Sequence, residues 1–143
     1  MSIRVRQEEI IEEFRLLDSD LEMSINYLIE LGEQLTPFPE NKKTDDFIVK
    51  GCQSKVWMFA EDKNQNVVFN ADSNTVVTKG LVSLLVRVLS GHKAEEILNE
   101  EIYFPEKIGM SRFIGSQRSN GFSAMIKQMK LYALAINVKE KNE

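Results

Sequence analysis

The sequence predicts an α+β fold in which helices pack on a small antiparallel sheet of about three strands. Apolar residues recur at helical spacing near both ends of the chain, and short β-branched and aromatic runs separated by turn residues lie between them. Because so narrow a sheet is not stable alone, it requires helices on one face. The 143 residues, 43% of them hydrophobic, are expected to form a single domain over residues 1–143.

Two helices are predicted near the N-terminus. Residues 6–17 place their apolar side chains on one helical stripe, with glutamates near the positive end of the helix dipole. Ser19 and Glu22 fit a capping box that opens a second helix, and Gly32 is a suitable end for it. Residues 36–39 contain two prolines and therefore predict a rigid loop.

Short strands are predicted in the middle of the chain. Residues 56–60 form the best candidate, and residues 66–71 alternate apolar and polar side chains as a half-buried strand does. Turn residues at 62–65 join them, and residues 47–49 form a shorter third candidate. Trp57 is expected to be a core aromatic residue of this sheet.

The C-terminal half is predicted to be mainly helical. Residues 76–89 are apolar around nearly the whole helix, which is typical of a buried helix. A short helix is expected over residues 94–99, an irregular segment over 101–115 and a last helix over 119–136. The polar residues 137–143 are expected to form a frayed tail.

The composition disfavours several classes of partner. Lys and Arg number 18 and Asp and Glu 22, so the formal net charge is −4, with no basic field for nucleic acid or an anionic membrane. No apolar run approaches the ~20 residues of a membrane span, and residues 1–6 lack a signal-peptide core, so a cytoplasmic location is expected. One histidine and one cysteine provide neither a multi-histidine metal site nor the ligands of an iron–sulfur cluster, and we expect no metal or cofactor.

The only cysteine, Cys52, is the candidate for chemistry. It lies between Gly51 and the polar pair Gln53 and Ser54, just before the predicted strand 56–60. Glycine at this position indicates a sharp or left-handed turn that presents the thiol at a loop tip. Lone cysteines are frequently packing residues, but a packing cysteine usually lies within an apolar pattern and this one does not.

A catalytic partner for Cys52 is missing from the sequence. His92 follows a predicted helix end and is expected to be an exposed loop residue. Lys50 and Lys55 flank the thiol, and nearby cations favour the thiolate. The residues therefore indicate one nucleophilic or acceptor thiol without a general base, while an idle cysteine and a different cysteine enzyme remain open.

Four stretches of the chain, in this order and spacing, resemble the SufE-type sulfur acceptor family. They are YLIELG at 27–32, GCQSKVW at 51–57, VTKGL at 77–81 and RSNGFSAM at 118–125. The resemblance covers about residues 10–135, nearly the whole chain. The cysteine stretch is its most specific part.

The resemblance implies a protein that binds a cysteine desulfurase and accepts sulfane sulfur on Cys52 as a persulfide. The sulfur then passes to an iron–sulfur cluster scaffold complex, so the protein is a covalent carrier that stimulates its partner rather than a stand-alone catalyst. The implied fold is similar to that of cluster scaffold proteins and agrees with the predicted α+β class. The expected supporting or partner-contact residues are Gly51, Gln53, Ser54, Arg118 and Asn120.

Three differences from the family pattern concern packing and partner choice. Leu21 stands where the family commonly has Trp, residues 115–117 replace a Leu-Ser-Pro-like approach to Arg118, and residues 74–75 replace an Asp-Ala pair. The last two leave open which desulfurase is the partner, including the one served by the paralogous acceptor system. The alternative functions are an interaction module of a desulfurase system and a different single-cysteine thiol enzyme.

The position of the thiol is itself predicted. Cys52 is expected at the edge of the sheet, shielded when no partner is bound, because shielding protects a thiol from over-oxidation. Transfer then requires the loop to swing towards the partner, since reacting atoms must approach to about 3–3.5 Å. Gly51 is the expected hinge, because glycine adopts backbone angles that other residues resist.

Overall fold

The computed structural model describes residues 1–142 and contains seven helices and two strands. Two single 3₁₀ turns, Glu40–Lys42 and Asp45–Phe47, precede the sheet. The helices and strands are α1 (Ile3–Arg15), α2 (Leu21–Glu33), β1 (Val56–Lys63), β2 (Asn66–Ser73), α3 (Val76–Leu89), α4 (Ala94–Asn99), α5 (Phe104–Lys107), α6 (Met110–Ile114) and α7 (Ser116–Lys141).

The predicted α+β class, with helices on a small antiparallel sheet, is confirmed, and the sheet has two strands within the described residues. The third strand expected at 47–49 is absent there, because the chain turns through the 3₁₀ segment Asp45–Phe47. After that turn Ile48 forms only an isolated bridge with Trp57. The strands β1 and β2 pair from Val56 opposite Ser73 to Lys63 opposite Asn66.

The two faces of the sheet have different neighbours. The inner face contacts α3 and α7, and its side chains belong to one buried apolar cluster, including Val56, Met58, Val67, Phe69 and Ala71. Trp57 points to the other face and is half-buried, with the Lys43 ammonium 5.7 Å from its ring centre. The expectation that Trp57 is a core aromatic residue is therefore wrong.

Helices α2 and α3 cross where each carries a glycine, and we call this contact the glycine crossing. A Cβ on Gly80 would lie 2.2 Å from the carbonyl oxygen of Leu28, and a Cβ on Gly32 would lie 2.7 Å from the Gly80 nitrogen. Any larger side chain would force the two backbones apart. The crossing anchors α3, most of which is buried as its all-round apolar pattern predicts.

The start of α2 differs from the prediction. Asp20, not Ser19, is the N-cap residue, and its carboxylate accepts a hydrogen bond of 2.9 Å from the Met23 backbone nitrogen. Ser19 has a φ of 61° and lies in the turn before the cap. The expected capping box between Ser19 and Glu22 is therefore wrong.

The segment 101–115, expected to be irregular, contains the short helices α5 and α6. Gln7 organises its beginning from α1: the buried side-chain amide donates to the Glu101 carbonyl (3.0 Å) and accepts from the Tyr103 nitrogen (2.8 Å). Helix α7 then begins at Ser116 and runs to Lys141, so most of the expected tail is helical. Glu143, the end of that tail, lies outside the described residues.

His92 is buried, with 6% of its surface exposed, so the expectation of an exposed loop residue is wrong. Its Nε2 atom lies 2.8 Å from the Met1 carbonyl oxygen, and its Nδ1 atom lies 3.2 Å from that of Leu89. The imidazole thus joins the start of the chain to the end of α3. Its hydrogen-bond partners are structural and do not include Cys52.

Candidate functional site

Cys52 lies in a short loop, residues 50–55, that we call the thiol loop. The backbone nitrogen of Val49 donates to the Val56 carbonyl over 2.8 Å and closes the loop at its base, at the start of β1. Gly51 has a φ of 98°, in the left-handed region that favours glycine. The turn inferred from a glycine before the cysteine is therefore present, and it directs the half-buried Cys52 towards α7.

The sulfur of Cys52 contacts the first third of α7. Its Sγ donates a hydrogen bond of 3.4 Å to the carbonyl oxygen of Gly121. Around it is a cavity of about 90 Å³, which we call the thiol pocket. The pocket is lined by Cys52, Gln53, Ser54, Thr78, Leu81, Gln117, Arg118, Gly121 and Met125.

Burial raises the pKa of the Cys52 thiol above its ordinary value. The expectation that nearby cations lower this pKa is wrong for the closed loop, because Lys50 and Lys55 are exposed and desolvation decides the direction. Arg118 lines the pocket, yet its Nη1 atom donates to the Ile114 carbonyl oxygen at 3.4 Å. The resting sulfur is therefore a protonated thiol, which agrees with its role as hydrogen-bond donor.

Polar contacts with the start of α3 hold the far side of the thiol loop. The Ser54 hydroxyl accepts hydrogen bonds from the hydroxyls of Thr75 (2.9 Å) and Thr78 (3.3 Å). The Lys55 nitrogen donates to the Asn74 side-chain oxygen over 3.0 Å. The loop is therefore fixed on α7 through its sulfur and on α3 through its hydroxyl and backbone groups.

The residues singled out from the sequence do not all meet at this site. Gln53, Ser54 and Arg118 line the thiol pocket together with Cys52. Gly51 faces Ala124, since a Cβ on Gly51 would lie 3.1 Å from the Ala124 Cβ. Asn120 is exposed and is not among the residues that line the pocket.

Sequence reasoning missed several residues that shape the pocket. Thr78 lies in a stretch quoted for the family resemblance, but nothing in its spacing indicates a bond to Ser54. The sequence indicates for Gly121 only a place near the start of the last helix, although its carbonyl oxygen accepts the hydrogen bond of the Cys52 thiol. A glycine inside an amphipathic helix is the one signal that points to close approach by another group.

Comparisons with known proteins agree with the resemblance in sequence. The family model SufE, described as an Fe-S metabolism associated domain, matches residues 8–133. The chain belongs to the SufE family. An uncharacterized SufE-like protein of Rhizobium meliloti is 33% identical over 128 residues, which cover 86% of this chain and 91% of that protein.

Two further relatives carry SufE names, and this chain covers different shares of their lengths. The "Cysteine desulfuration protein SufE" of Wigglesworthia glossinidia brevipalpis is 32% identical over 118 residues, covering 80% of this chain and 81% of that protein. "SufE-like protein 1, chloroplastic/mitochondrial" of Arabidopsis thaliana is 42% identical over 113 residues. That match covers 78% of this chain but only 30% of the plant protein, so the chain spans less than a third of it.

A solved structure has a similar fold. The solution structure of a hypothetical protein from Thermus thermophilus superposes with a TM-score of 0.74 at 19% identity, covering 91% of this chain and 94% of that one. At this level of identity the likeness concerns the fold alone. None of the helices within residues 1–142 is both long and apolar enough to cross a membrane.

Proposed function

We propose that this SufE protein takes sulfane sulfur from a cysteine desulfurase as a persulfide on Cys52 and relays it to an iron–sulfur cluster scaffold complex. The observation that carries the proposal is the position of the only cysteine, half-buried in its own pocket on a loop with a glycine turn. The name of the Wigglesworthia relative, a cysteine desulfuration protein, supports it. We place this activity in the cytoplasm.

The sulfur transfer is a thiol–persulfide exchange. The Cys52 thiolate attacks the outer sulfur of the partner's persulfide, so that a new bond forms between Sγ and that sulfur. The partner's sulfur–sulfur bond breaks, and its electron pair leaves with the partner's cysteine as a thiolate. The oxidation level of the transferred sulfur is conserved, so the step needs no further oxidant or reductant.

The closed loop does not favour this attack. Burial raises the pKa of Cys52, and only the thiolate is nucleophilic. When the loop swings out, the thiol regains water and its pKa returns towards the ordinary value of about 8.5. Exposure to the partner thus brings the sulfur within reach and makes its deprotonation easier, whereas the closed position protects it from oxidation.

The remaining site residues support this transfer by turning or presenting the loop. Gly51 supplies the left-handed turn, and Gln53, Ser54 and Arg118 line the pocket that the sulfur leaves. Asn120 and Arg118 are exposed on α7 beside the loop, where we propose that they contact the desulfurase. The protein stimulates that enzyme by removing its persulfide and is not a stand-alone catalyst.

Intact-mass measurement after incubation with a cysteine desulfurase and free cysteine tests this proposal. We expect the wild-type protein to gain the mass of one sulfur atom and lose it on reduction. The Cys52→Ser variant should fold normally and gain nothing, because serine has a similar size but cannot form a persulfide. No gain by the wild type would contradict the carrier role, and wild-type stimulation of the desulfurase by Cys52→Ser would favour an interaction module.

A further inference from the structure

Gly121 meets the sulfur of Cys52 with its backbone rather than with a side chain. Its carbonyl oxygen lies 3.4 Å from Sγ and accepts the thiol hydrogen. In an α-helix this oxygen also accepts from the nitrogen four residues later, and a carbonyl with two lone pairs can serve both donors. The Gly121 carbonyl can therefore bind the Cys52 thiol without giving up its hydrogen bond in the helix.

The missing side chain of Gly121 provides the space that the cysteine occupies. A Cβ at this position would lie 3.3 Å from Sγ, 3.6 Å from Cα and 3.7 Å from Cβ of Cys52. The first distance is shorter than nine in ten Cβ contacts in proteins, whereas the other two are ordinary. Alanine at this buried helical position would therefore crowd one atom in particular, the sulfur.

Glycine has no local reason to be at this place in the helix. The residue lies inside α7, where glycine is less favourable than alanine, and its φ is not in the left-handed region. The close approach of Cys52 supplies the missing reason. A Cβ at this position would require the sulfur to move away by a few tenths of an ångström.

We propose that Gly121 is the positioning residue that holds the empty thiol loop closed, by accepting the thiol hydrogen and leaving room for the sulfur. The inference rests on the proposed sulfur-carrier function. Only a protonated Cys52 thiol can make the contact. A thiolate has no hydrogen to donate, and in the persulfide the proton belongs to the outer sulfur, so Sγ loses its hydrogen bond to Gly121.

The contact therefore links the chemical state of Cys52 to the position of the loop. Loss of the proton or gain of a sulfur atom removes the bond that holds the loop on α7, and opening in turn favours loss of the proton. Arg118 is the charged residue that lines the pocket, and Lys50 and Lys55 lie exposed on the loop. A Gly121 variant keeps these three cations. They therefore cannot explain a difference in the reactivity or the pKa of Cys52 between the variant and the wild type.

The rate of alkylation of Cys52 by iodoacetamide, measured as a function of pH without any partner, tests the proposal. We expect Gly121→Ala to react severalfold faster at neutral pH and to shift the midpoint of the pH profile down, towards about 8.5. The matched control is Ser123→Ala, which changes an exposed residue two positions along the same helix and should behave as the wild type. An unchanged rate and midpoint in Gly121→Ala would overturn the proposal.

A double-mutant cycle on thermal stability tests the space requirement separately. With Cys52 present, Gly121→Ala should fail to gain the stability expected from helix propensity. In the Cys52→Ala background the sulfur is gone, and the same change should raise the melting temperature. Equal effects of Gly121→Ala in the two backgrounds would overturn the proposal. So would failure to fold of both Gly121→Ala and the double variant with Cys52→Ala. If the double variant folds and Gly121→Ala with Cys52 present does not, the proposal is supported.

These measurements are independent of sulfur transfer. Alkylation and melting require no desulfurase, so Gly121 can position Cys52 as proposed even if the mass experiment finds no persulfide. Conversely, suppose that the wild type forms the persulfide while Gly121→Ala shows an unchanged alkylation profile. That result would leave the carrier function standing and overturn the role of Gly121. The two proposals therefore fail in different experiments.

Discussion

Glycine allows a close approach in two regions of the molecule, and the groups that approach differ in their freedom to move. At the glycine crossing, a Cβ on Gly80 would lie 2.2 Å from a backbone oxygen of Leu28. At the thiol loop, a Cβ on Gly121 would lie 3.3 Å from the Cys52 sulfur. The first neighbour is helix backbone at a buried residue of α2, and the second belongs to a short loop at the surface.

The two regions are also held together differently. The crossing joins helices whose apolar side chains belong to the buried core, so separating them exposes much apolar surface. The thiol loop is held by hydrogen bonds that join Cys52 to α7 and join Ser54 and Lys55 to residues 73–78, each worth about 1 kcal/mol. The loop can therefore open at a cost that leaves the crossing intact, which is what a carrier with a shielded thiol requires.

Gly80→Ala should have the largest effect on stability, because its new Cβ would meet backbone that cannot yield. We expect a loss of about 3 kcal/mol in the free energy of unfolding, at the upper end of typical overpacking costs, measured by urea denaturation. Val76→Ala, at an exposed position on the same helix, is the control and should change little. A Gly80→Ala protein as stable as the wild type would mean that the helices separate easily.

Gly51→Val should impair transfer more than stability. Valine strongly disfavours the φ of 98° at this turn, so the loop must present Cys52 in another conformation. We expect single-turnover persulfide transfer to slow about tenfold, the equivalent of about 1.4 kcal/mol in the barrier. The fold should remain, with a strain cost of about 1–3 kcal/mol.

Gly91→Val is the matched control for the hinge. Gly91 has a φ of 86°, and a Cβ added to it would have no neighbouring atom within 4 Å, so the variant carries similar backbone strain away from the thiol. It should lose no more stability than Gly51→Val, whose added Cβ also meets Ala124, and should transfer sulfur at the wild-type rate. Normal transfer by Gly51→Val would instead show that the loop does not hinge there.

The parts of the fold that the sequence predicted well are those set by local pattern. Residues 76–89 and 94–99 are predicted as helices and have these bounds, because the spacing of their apolar residues can be read from the local sequence alone. The errors involve distant contacts. His92 is buried and hydrogen-bonds to Met1, 91 residues away, and the segment after residue 100 hydrogen-bonds to Gln7, 94 residues from Glu101.

The site divides in the same way. Cys52 and its turn follow from one glycine and one cysteine in the sequence, whereas the sulfur's acceptor, Gly121, is 69 residues away. The direction of the thiol pKa was predicted wrongly, because Lys50 and Lys55 are visible in the sequence but the burial that outweighs them is not. Nearby charges can be read from a sequence, and desolvation requires the fold.

Ser54→Ala should have a smaller effect, confined to the thiol loop. The change removes the hydroxyl that accepts from Thr75 and Thr78, a loss of about 1 kcal/mol that should weaken the closed state. We expect alkylation of Cys52 to accelerate about fivefold with little change in melting temperature. A lower melting temperature with unchanged alkylation would mean that Ser54 supports the core rather than the loop.

The smallest expected effect comes from an ion pair between α1 and α3. The Arg87 guanidinium beside Glu13 holds the pKa of that carboxyl below its usual range, although burial opposes it. A lowered carboxyl pKa contributes stability that is present above the unfolded value of about 4.3 and is lost as the pH falls through the folded value. Arg87→Met should therefore lower the free energy of unfolding by about 0.5 kcal/mol at neutral pH and by less at low pH. Urea unfolding at a series of pH values measures this difference.

The control is Arg15→Met, whose partner Glu12 lies in solvent, and which should change the acid slope less. Both variants should leave the alkylation rate of Cys52 unchanged at any fixed pH, because the thiol loop bonds to α7 and the start of α3 and not to this pair. If Arg87→Met altered that rate as much as Ser54→Ala does, opening of the loop would require loosening of the helices beneath it. Sulfur acceptance would then depend on the stability of the whole fold rather than on a few hydrogen bonds at Cys52.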